Sequence, residues 1–435
     1  MDNIKDGKTF CMAPWVHIHN LPDGRILPCC MTNHNNIVGN LYQDSVETIW
    51  NNEQYCDIRK KMMNGEKVAG CERCYKEEEW GNEQTYRKIW NHIYGDKYTE
   101  LVENSTTKDG HLNTMQFYRW DFRFSNLCNL ACTTCGPNCS SLWVEILEKM
   151  GNSTHGQKFK TSSQNKKYFF DTIIGQANIV DQIYFAGGEP LIQPEHYEIL
   201  KHIDSINRID KIEFLYSTNL TQISYKDQNF VEYWKNMKNL KILVSLDEID
   251  ESRLNYIRYP AKLPAIIENI KILNENLTTE KQRWMVTPTW NILNTHRIKN
   301  FVEYFHENNL FPQAFYQSSE WEGDIHNIIL LHPNYLSISA APDFWKEHLK
   351  KQLNIYEEWY KDQIIPLKNW HVRDVSIQRF DHEIKRFYNA LNDEITIDSS
   401  YHQNMLEPLD KIRKLNFVKT FPELDWYMEP QHAGI

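Results

Sequence analysis

The chain has 435 residues, 41% of them hydrophobic and 13% aromatic, with a formal net charge of −10. That length supports two or three domains and a large core, and the apolar content fits a folded globular protein rather than a disordered one. The acidic balance, with no long Lys/Arg run, argues against general nucleic-acid binding. No signal-like stretch opens the chain and no run of 18 apolar residues occurs, so the expected location is the cytoplasm, with no membrane association.

All ten cysteines, at positions 11, 29, 30, 56, 71, 74, 128, 132, 135 and 139, lie in the first third of the chain. In a reducing compartment such clustering points to metal rather than to crosslinks. Cys11 opens the segment Cys11-Met12-Ala13-Pro14-Trp15, and Pro22-Asp23-Gly24 then precedes Arg25-Ile26-Leu27-Pro28-Cys29-Cys30. Asp-Gly between short apolar runs is a hairpin signal, which predicts two strands that bring Cys11 and Cys29 together. Ser45 to Asn51 and Glu53 to Met63 read as helices; Tyr55, Ile58 and Met62 make an apolar stripe on the second, and Gly65 lies just past its end. The chain returns with Gly70-Cys71-Glu72-Arg73-Cys74. Two separated thiols followed by C-x2-C suit either an iron–sulfur cluster or zinc. Either Cys29 or Cys30 can be the second ligand of this set. The unused one and Cys56 read as small buried hydrophobes.

Residues 117 to 124 form an apolar, aromatic-rich run that reads as a strand. It leads into Asn126-Leu127-Cys128-Asn129-Leu130-Ala131-Cys132-Thr133-Thr134-Cys135. Three cysteines at C-x3-C-x2-C let one short loop wrap a small inorganic core. A four-iron cluster held by three thiolates keeps one iron open for another ligand. Zinc sites favour a second pair of ligands well downstream, and no cysteine follows Cys139. Cys139 itself reads as a bystander at the start of a helix from Ser140 to Met150.

From residue 117 to about 330, strand-like and helical stretches alternate, the pattern of a parallel α/β fold. The expected strands are Phe117 to Phe124, Gln182 to Ala186, Ile212 to Ser217, Lys241 to Leu246, Trp284 to Pro288 and Ala314 to Ser318. Helices between them include Leu263 to Asn274 and Thr295 to Glu307. Polar residues gather at the strand ends: Gly187-Gly188-Glu189-Pro190, Ser217-Thr218-Asn219 and Ser245-Leu246-Asp247, with Arg258 downstream. Residues 331 to 435 carry helical stripes, clearest at Trp345 to Trp359 and Val375 to Leu391. Tryptophans 345, 359, 370 and 426 are expected to serve packing.

The cysteine loop, followed in this order by these strand-end motifs, resembles the radical S-adenosylmethionine (radical SAM) superfamily. The family often has an aromatic residue before the third cysteine, where this chain has Thr134. The resemblance implies a partial (βα)6 barrel and a four-iron cluster on Cys128, Cys132 and Cys135, whose open iron chelates the amino and carboxylate groups of SAM. One-electron reduction would then yield a 5′-deoxyadenosyl radical that abstracts hydrogen. It also implies that Gly187, Gly188, Glu189 and Pro190 contact SAM, with Glu189 accepting from its ammonium group. Asn219, Ser245 and Asp247 would make further contacts, and Arg258 would face the SAM carboxylate.

The N-terminal set resembles the twitch domain, a shortened SPASM module with an auxiliary four-iron cluster. That resemblance implies Cys11, Cys29, Cys71 and Cys74 as ligands, with Gly24 at the turn and Gly39-Asn40-Leu41 included. The expected architecture is therefore α/β: a twitch-type iron–sulfur domain at 1–105, a partial radical SAM barrel at 115–330, and a helical C-terminal extension at 331–435.

The implied cofactors are two 4Fe-4S clusters and SAM, and the implied electron donor is a flavodoxin or ferredoxin. A peptide or protein substrate is the first expectation, because twitch and SPASM relatives oxidise peptide side chains or form peptide crosslinks. Dehydrogenation of a small metabolite is the alternative. A non-catalytic iron–sulfur or zinc protein is the rival from another class, and it leaves the strand-end motifs unexplained.

Overall fold

The computed structural model describes residues 7–79, 85–152, 158–277, 279, 281–312, 315–316, 325–393, 395 and 400–428. In chain order the framework strands are β1 (His19–Asn20), β2 (Arg25–Leu27), β3 (Gly39–Asn40), β4 (Arg119–Phe122), β5 (Ala131–Cys132), β6 (Gln182–Phe185) and β7 (Glu213–Thr218). They continue with β8 (Ser224–Tyr225), β9 (Gln228–Asn229), β10 (Asn239–Val244), β11 (Arg258–Tyr259) and β12 (Gln282–Val286). The chain divides into two compact units, 1–126 with 159–215, and 127–158 with 216–435. Strand β7 runs across the division.

In the first unit β1 and β2 form the expected hairpin, with His19 opposite Leu27 and Asn20 opposite Ile26. Gly24 closes the turn at φ +85°, and a Cβ there would run into the Tyr42 ring. Glycine alone meets both conditions without strain. β3 extends the hairpin from β2, while β1 pairs in parallel with β4, His19 opposite Asp121. β4 pairs in parallel with β6, Arg119 opposite Gln182. The N-terminal cysteine segment thus shares one sheet with the first strand of the α/β region.

The two expected helices behind the hairpin run Val46–Trp50 and Glu53–Met63, capped by Ser45 and Asn52, which accept from the N–H groups of Thr48 (3.2 Å) and Tyr55 (2.9 Å). Such caps satisfy amides that a helix start leaves unpaired. Buried Arg59 ties the second helix to its surroundings through the carbonyls of Pro14 (2.9 Å) and Trp50 (2.8 Å), and its guanidinium lies over the rings of Trp50 and Tyr55.

In the second unit β10 and β12 pair in parallel over five residues, Leu240 opposite Gln282 through Val244 opposite Val286. β10 alternates half-buried and buried side chains, one face toward a core. The helix Leu263–Asn276 buries Leu263, Ile266, Ile270 and Leu273, the stripe its period predicts. Short β5 and β11 pair antiparallel, which sets Arg258 opposite Cys132. Helices Asp343–Trp359 and Arg373–Asn392 cover the two expected C-terminal stripes. A further helix, Ser400–Arg413, brings Leu409 onto Ala131, Trp143, Ile146 and Leu147, directly behind the cysteine loop.

Five of the six expected strands are present, with ends shifted by up to two residues. Of the sixth, Ala314 to Ser318, only Phe315 and Tyr316 are described and both are helical; the remainder lies outside the described residues. Trp345 is buried and Trp426 packs edge-on to Phe344, but Trp370 is 73% exposed, so packing does not account for it. Among the described residues no helix is long and apolar enough to cross a membrane.

Candidate functional site

The C-x3-C-x2-C loop is held by its backbone. Ser140 caps the helix Ser141–Lys149 and donates its hydroxyl to the Leu130 carbonyl at 2.6 Å. The Trp143 indole N–H donates to the Cys132 carbonyl at 2.8 Å, and the Cys135 N–H donates to the same carbonyl at 3.0 Å. Arg413, from the C-terminal helix, donates to the Ala131 carbonyl at 2.8 Å and lies over the rings of Trp143 and Tyr259. No sequence signal marked Arg413, because a lone arginine late in a helical tail looks like any solvated charge.

Donors reach two of the sulfurs, while the Cys135 thiol faces the Gly136 carbonyl at 3.8 Å. The Leu130 N–H lies 3.4 Å from Cys128 Sγ, and Arg258 Nη1 lies 3.8 Å from Cys132 Sγ. Burial pushes the Cys132 thiol up, while Arg258 beside it favours the thiolate. Exposed Cys135 has its pKa raised chiefly by a hydrogen bond with Cys139. Three thiols on one loop, one met by an N–H group and one by a buried cation, are a donor set that fits an anionic iron–sulfur cluster.

Arg258 is also one half of a buried ion pair. Its Nε lies 2.7 Å from Asp247 Oδ2, an ion-pair contact, and its Nη2 donates to Asp247 Oδ1 at 3.1 Å. Asp247 Oδ1 accepts a further bond from the Thr289 N–H at 2.7 Å. Asp247 thus directly engages Arg258, and the pair stands against Cys132. The next residue, Glu248, is buried as well and pairs with Arg297 at 2.8 Å.

Asn219, at the end of β7, donates to the Asn129 side-chain carbonyl at 2.9 Å and accepts from the Thr221 N–H and hydroxyl at 3.0 and 2.7 Å. Asn129 closes the triangle by donating to the Thr221 hydroxyl at 2.8 Å. The strand end is thereby tied to the cysteine loop through a residue that sequence reasoning had passed over. Leu220 between them holds φ +50°, an uncommon value for a branched side chain and one that gathers at functional turns. Ser245, half-buried, directly follows β10 and donates its N–H to the Thr218 carbonyl at 2.8 Å.

The Gly187-Gly188-Glu189-Pro190 turn belongs to the first unit. Gly187 and Gly188 hold φ +83° and +58°, and a Cβ on Gly187 would come within 2.5 Å of the Arg123 side chain. Gln193 steadies the turn by donating to the Gly187 carbonyl at 2.6 Å. Glu189 is buried, and one of its oxygens accepts from the Leu191 N–H at 3.0 Å.

Cys11, Cys29, Cys71 and Cys74 line one cavity of the first unit, together with Met31, Thr32, Gly70, Tyr75 and Arg87. Cys29 rather than Cys30 faces it. The Met31 N–H reaches Cys29 Sγ at 3.4 Å, and the Arg87 N–H bonds the Cys74 thiol. Burial pushes Cys71 up to about 12 and Cys74 to about 11, and holds Cys11 far above the usual thiol range. Thiols so placed stay protonated until a cation displaces the proton, so metal loading here would release protons. Arg87 was not foreseen: it pairs with Glu78 and donates to the carbonyls of Gly7 (2.8 Å) and Phe10 (2.9 Å), which sets a fixed positive charge beside the four thiols. The donor set and this charge fit a four-thiolate cluster.

Residues 122–304 match the radical SAM superfamily, and residues 11–75 match the SPASM iron–sulfur cluster-binding domain. Among curated proteins no sequence matches this chain. Solved structures with partial likeness include native anSMEcpe with bound AdoMet, at 18% identity and TM-score 0.35, covering 56% of this chain and 60% of that one. Streptococcus suis SuiB bound to S-adenosylmethionine is similar at 14% identity and TM-score 0.38, covering 71% of this chain and 64% of that one. SuiB bound to precursor peptide SuiA is similar at 14% identity and TM-score 0.36, covering 65% and 61%. The chain thus spans about 60% of the length of the first of these proteins.

Proposed function

Because this chain is a radical SAM protein with an iron–sulfur cluster-binding domain, we propose that it is an enzyme that cleaves SAM reductively to take hydrogen from a peptide or protein substrate. The observation that carries this reading is the three-cysteine loop, backbone-anchored, with the Arg258–Asp247 pair set against Cys132. Bound at that loop, a reduced four-iron cluster and SAM supply a 5′-deoxyadenosyl radical. Cys128, Cys132 and Cys135 hold the cluster, and Arg258 offsets the negative charge that gathers on Cys132. Glu189 accepts from the SAM ammonium group, while Gly187, Gly188 and Pro190 let backbone approach it. Asn219, Ser245 and Asp247 belong to the polar lining that orients SAM or substrate.

Cys11, Cys29, Cys71 and Cys74 hold an auxiliary cluster. With every iron ligated by protein, that cluster suits taking an electron from the substrate radical, which leaves an oxidised product, better than gripping the substrate. In this reading residues 1–105, 115–330 and 331–435 are the cluster, radical and helical segments. A flavodoxin or ferredoxin supplies the first electron. Anaerobic reconstitution tests the proposal: near eight irons per chain and 5′-deoxyadenosine formation are expected, whereas bound zinc with no 5′-deoxyadenosine would end it. Peptide-stimulated turnover of SAM then tests the substrate class, against small alcohols as the comparison.

A further inference from the structure

Strand β4 buries all four of its residues, Arg119 to Phe122. Side chains two apart share a face of a strand, so Arg119 and Asp121 lie on the same side. Asp121 is neutralised: Arg123 Nη2 lies 2.7 Å from its Oδ1 and His19 Nδ1 lies 3.3 Å from its Oδ2. Arg119 is not. It is 4% exposed, and among the described residues no carboxylate stands within ion-pair distance and its Nε meets no hydrogen-bond partner. Its guanidinium is walled by aromatic faces, with the centroids of Trp90, Tyr184 and Tyr86 at 4.7, 5.8 and 5.9 Å. Two more donors close by, the Trp90 indole N–H and the Tyr94 hydroxyl, are likewise buried without a partner, and their rings stack at 5.8 Å.

A buried charge is retained only when something pairs with it. The phenols of Tyr86 and Tyr94 cannot do so, because burial raises both above the ordinary tyrosine range, while Asp121 and the Cys30 thiol favour the guanidinium's charge only from a distance, with no ion pair to it among the described residues. His17, 4.9 Å from Trp90, is driven down to about 3 by burial and is neutral. The ligand atoms of His17, His19 and Asp121 lie within 4.8 Å of one another, which could suggest a metal ion. Charge decides against it: two guanidiniums already face one carboxylate, and a divalent cation would add to that excess while an anion would relieve it. A guanidinium that lies over Trp90 keeps its edge donors for a planar, two-oxygen partner.

We propose that Arg119 anchors a buried carboxylate-binding site in the first unit, one that recognises a carboxylate of the substrate. As a substrate site it rests on the radical SAM reading; as an anion site it stands without it.

Thermal melts of the cluster-loaded protein in sodium acetate, with sodium chloride and sodium phosphate at equal ionic strength, test the site. Acetate should raise the melting temperature, on the order of 1–3 °C for each tenfold increase once binding sets in, and chloride should not. N-acetylglycine presents the same group on a peptide linkage. A response to both acids supports a site open to a peptide terminus, and a response to acetate alone supports a small acid. Arg119→Met should melt no lower than the wild type, because it removes an unpaired buried charge, and should lose the response. Arg119→Lys should weaken it at least tenfold, and Cys30→Ala should keep it.

No acetate-specific rise in the wild type, or an equal rise in Arg119→Met, would overturn the site. So would a non-cluster metal that survives reconstitution and leaves with Asp121→Asn. If Arg119→Met does not fold, the wild-type salt series and Arg119→Lys still decide. Parallel 5′-deoxyadenosine assays separate the two readings: an acetate response without SAM cleavage removes only the radical function, and the reverse removes only the anion site.

Discussion

Replacing Arg258 with Met isolates the buried pair beside Cys132. Asp247 has essentially no exposed side-chain surface, and after the change its two guanidinium contacts at 2.7 and 3.1 Å are gone, with the Thr289 N–H remaining. Removing one partner of such a pair costs about 3–5 kcal/mol, because a buried carboxylate is left without its counter-charge. At about 2 °C per kcal/mol for a unit of this size, the melting temperature should fall by about 6–10 °C. Cys132 also loses the donor at 3.8 Å, so iron at the three-cysteine loop should be held less firmly. The assay is a melt of the cluster-free protein alongside iron retention after gel filtration of the loaded one. The double variant Arg258→Met with Asp247→Leu should recover most of the melting temperature while SAM cleavage stays low, since an apolar pair can replace the ionic one structurally but not chemically. A fall of under about 1 °C in Arg258→Met would refute a buried ion pair. Full SAM cleavage in the double variant would show that the pair serves stability alone.

Cys128→Ala, Cys132→Ala and Cys135→Ala should each abolish 5′-deoxyadenosine formation, whereas Cys139→Ala should keep it even though the thiol hydrogen bond between Cys135 and Cys139 is lost; the reverse pattern would reassign the ligand. Glu189→Gln keeps an acceptor for the Leu191 N–H but removes the charge, so SAM binding measured by calorimetry should weaken roughly tenfold to over a hundredfold, the equivalent of about 1.5–3 kcal/mol, with iron content unchanged. Cys71→Ser combined with Cys74→Ser should leave about four irons and intact SAM cleavage but stalled product, and full product yield would make the auxiliary cluster architectural. In the cluster-free protein Cys71 and Cys74 titrate above the ordinary thiol value of 9.0, at about 12 and about 11, so the folded form binds those protons more tightly than the unfolded one. Stability from these thiols should be full below pH 9 and fall as pH rises through 11 to 12; cluster loading or serine at both positions should remove that slope.

The motifs on which the proposed chemistry rests were legible in the sequence because they are short, contiguous patterns. The loop Cys128 to Cys135, the turn at Gly187 to Pro190 and the Asp23-Gly24 hairpin each depend on neighbours a few residues apart, and spacing is what a sequence displays directly. Helix and strand positions were legible for the same reason, since periods of 3.6 and 2 are local. What joins distant residues was not. Nothing in the chain announces that Arg258 stands opposite Cys132, which the β5–β11 register decides, or that Arg413 secures the Ala131 carbonyl from the last long helix. The pairing of β1 with β4 likewise sets His19 against Asp121 across 102 residues and encloses Arg119 among aromatic rings. A buried arginine and a solvated one are written with the same letter; only tertiary packing removes the water and makes the missing counter-charge count.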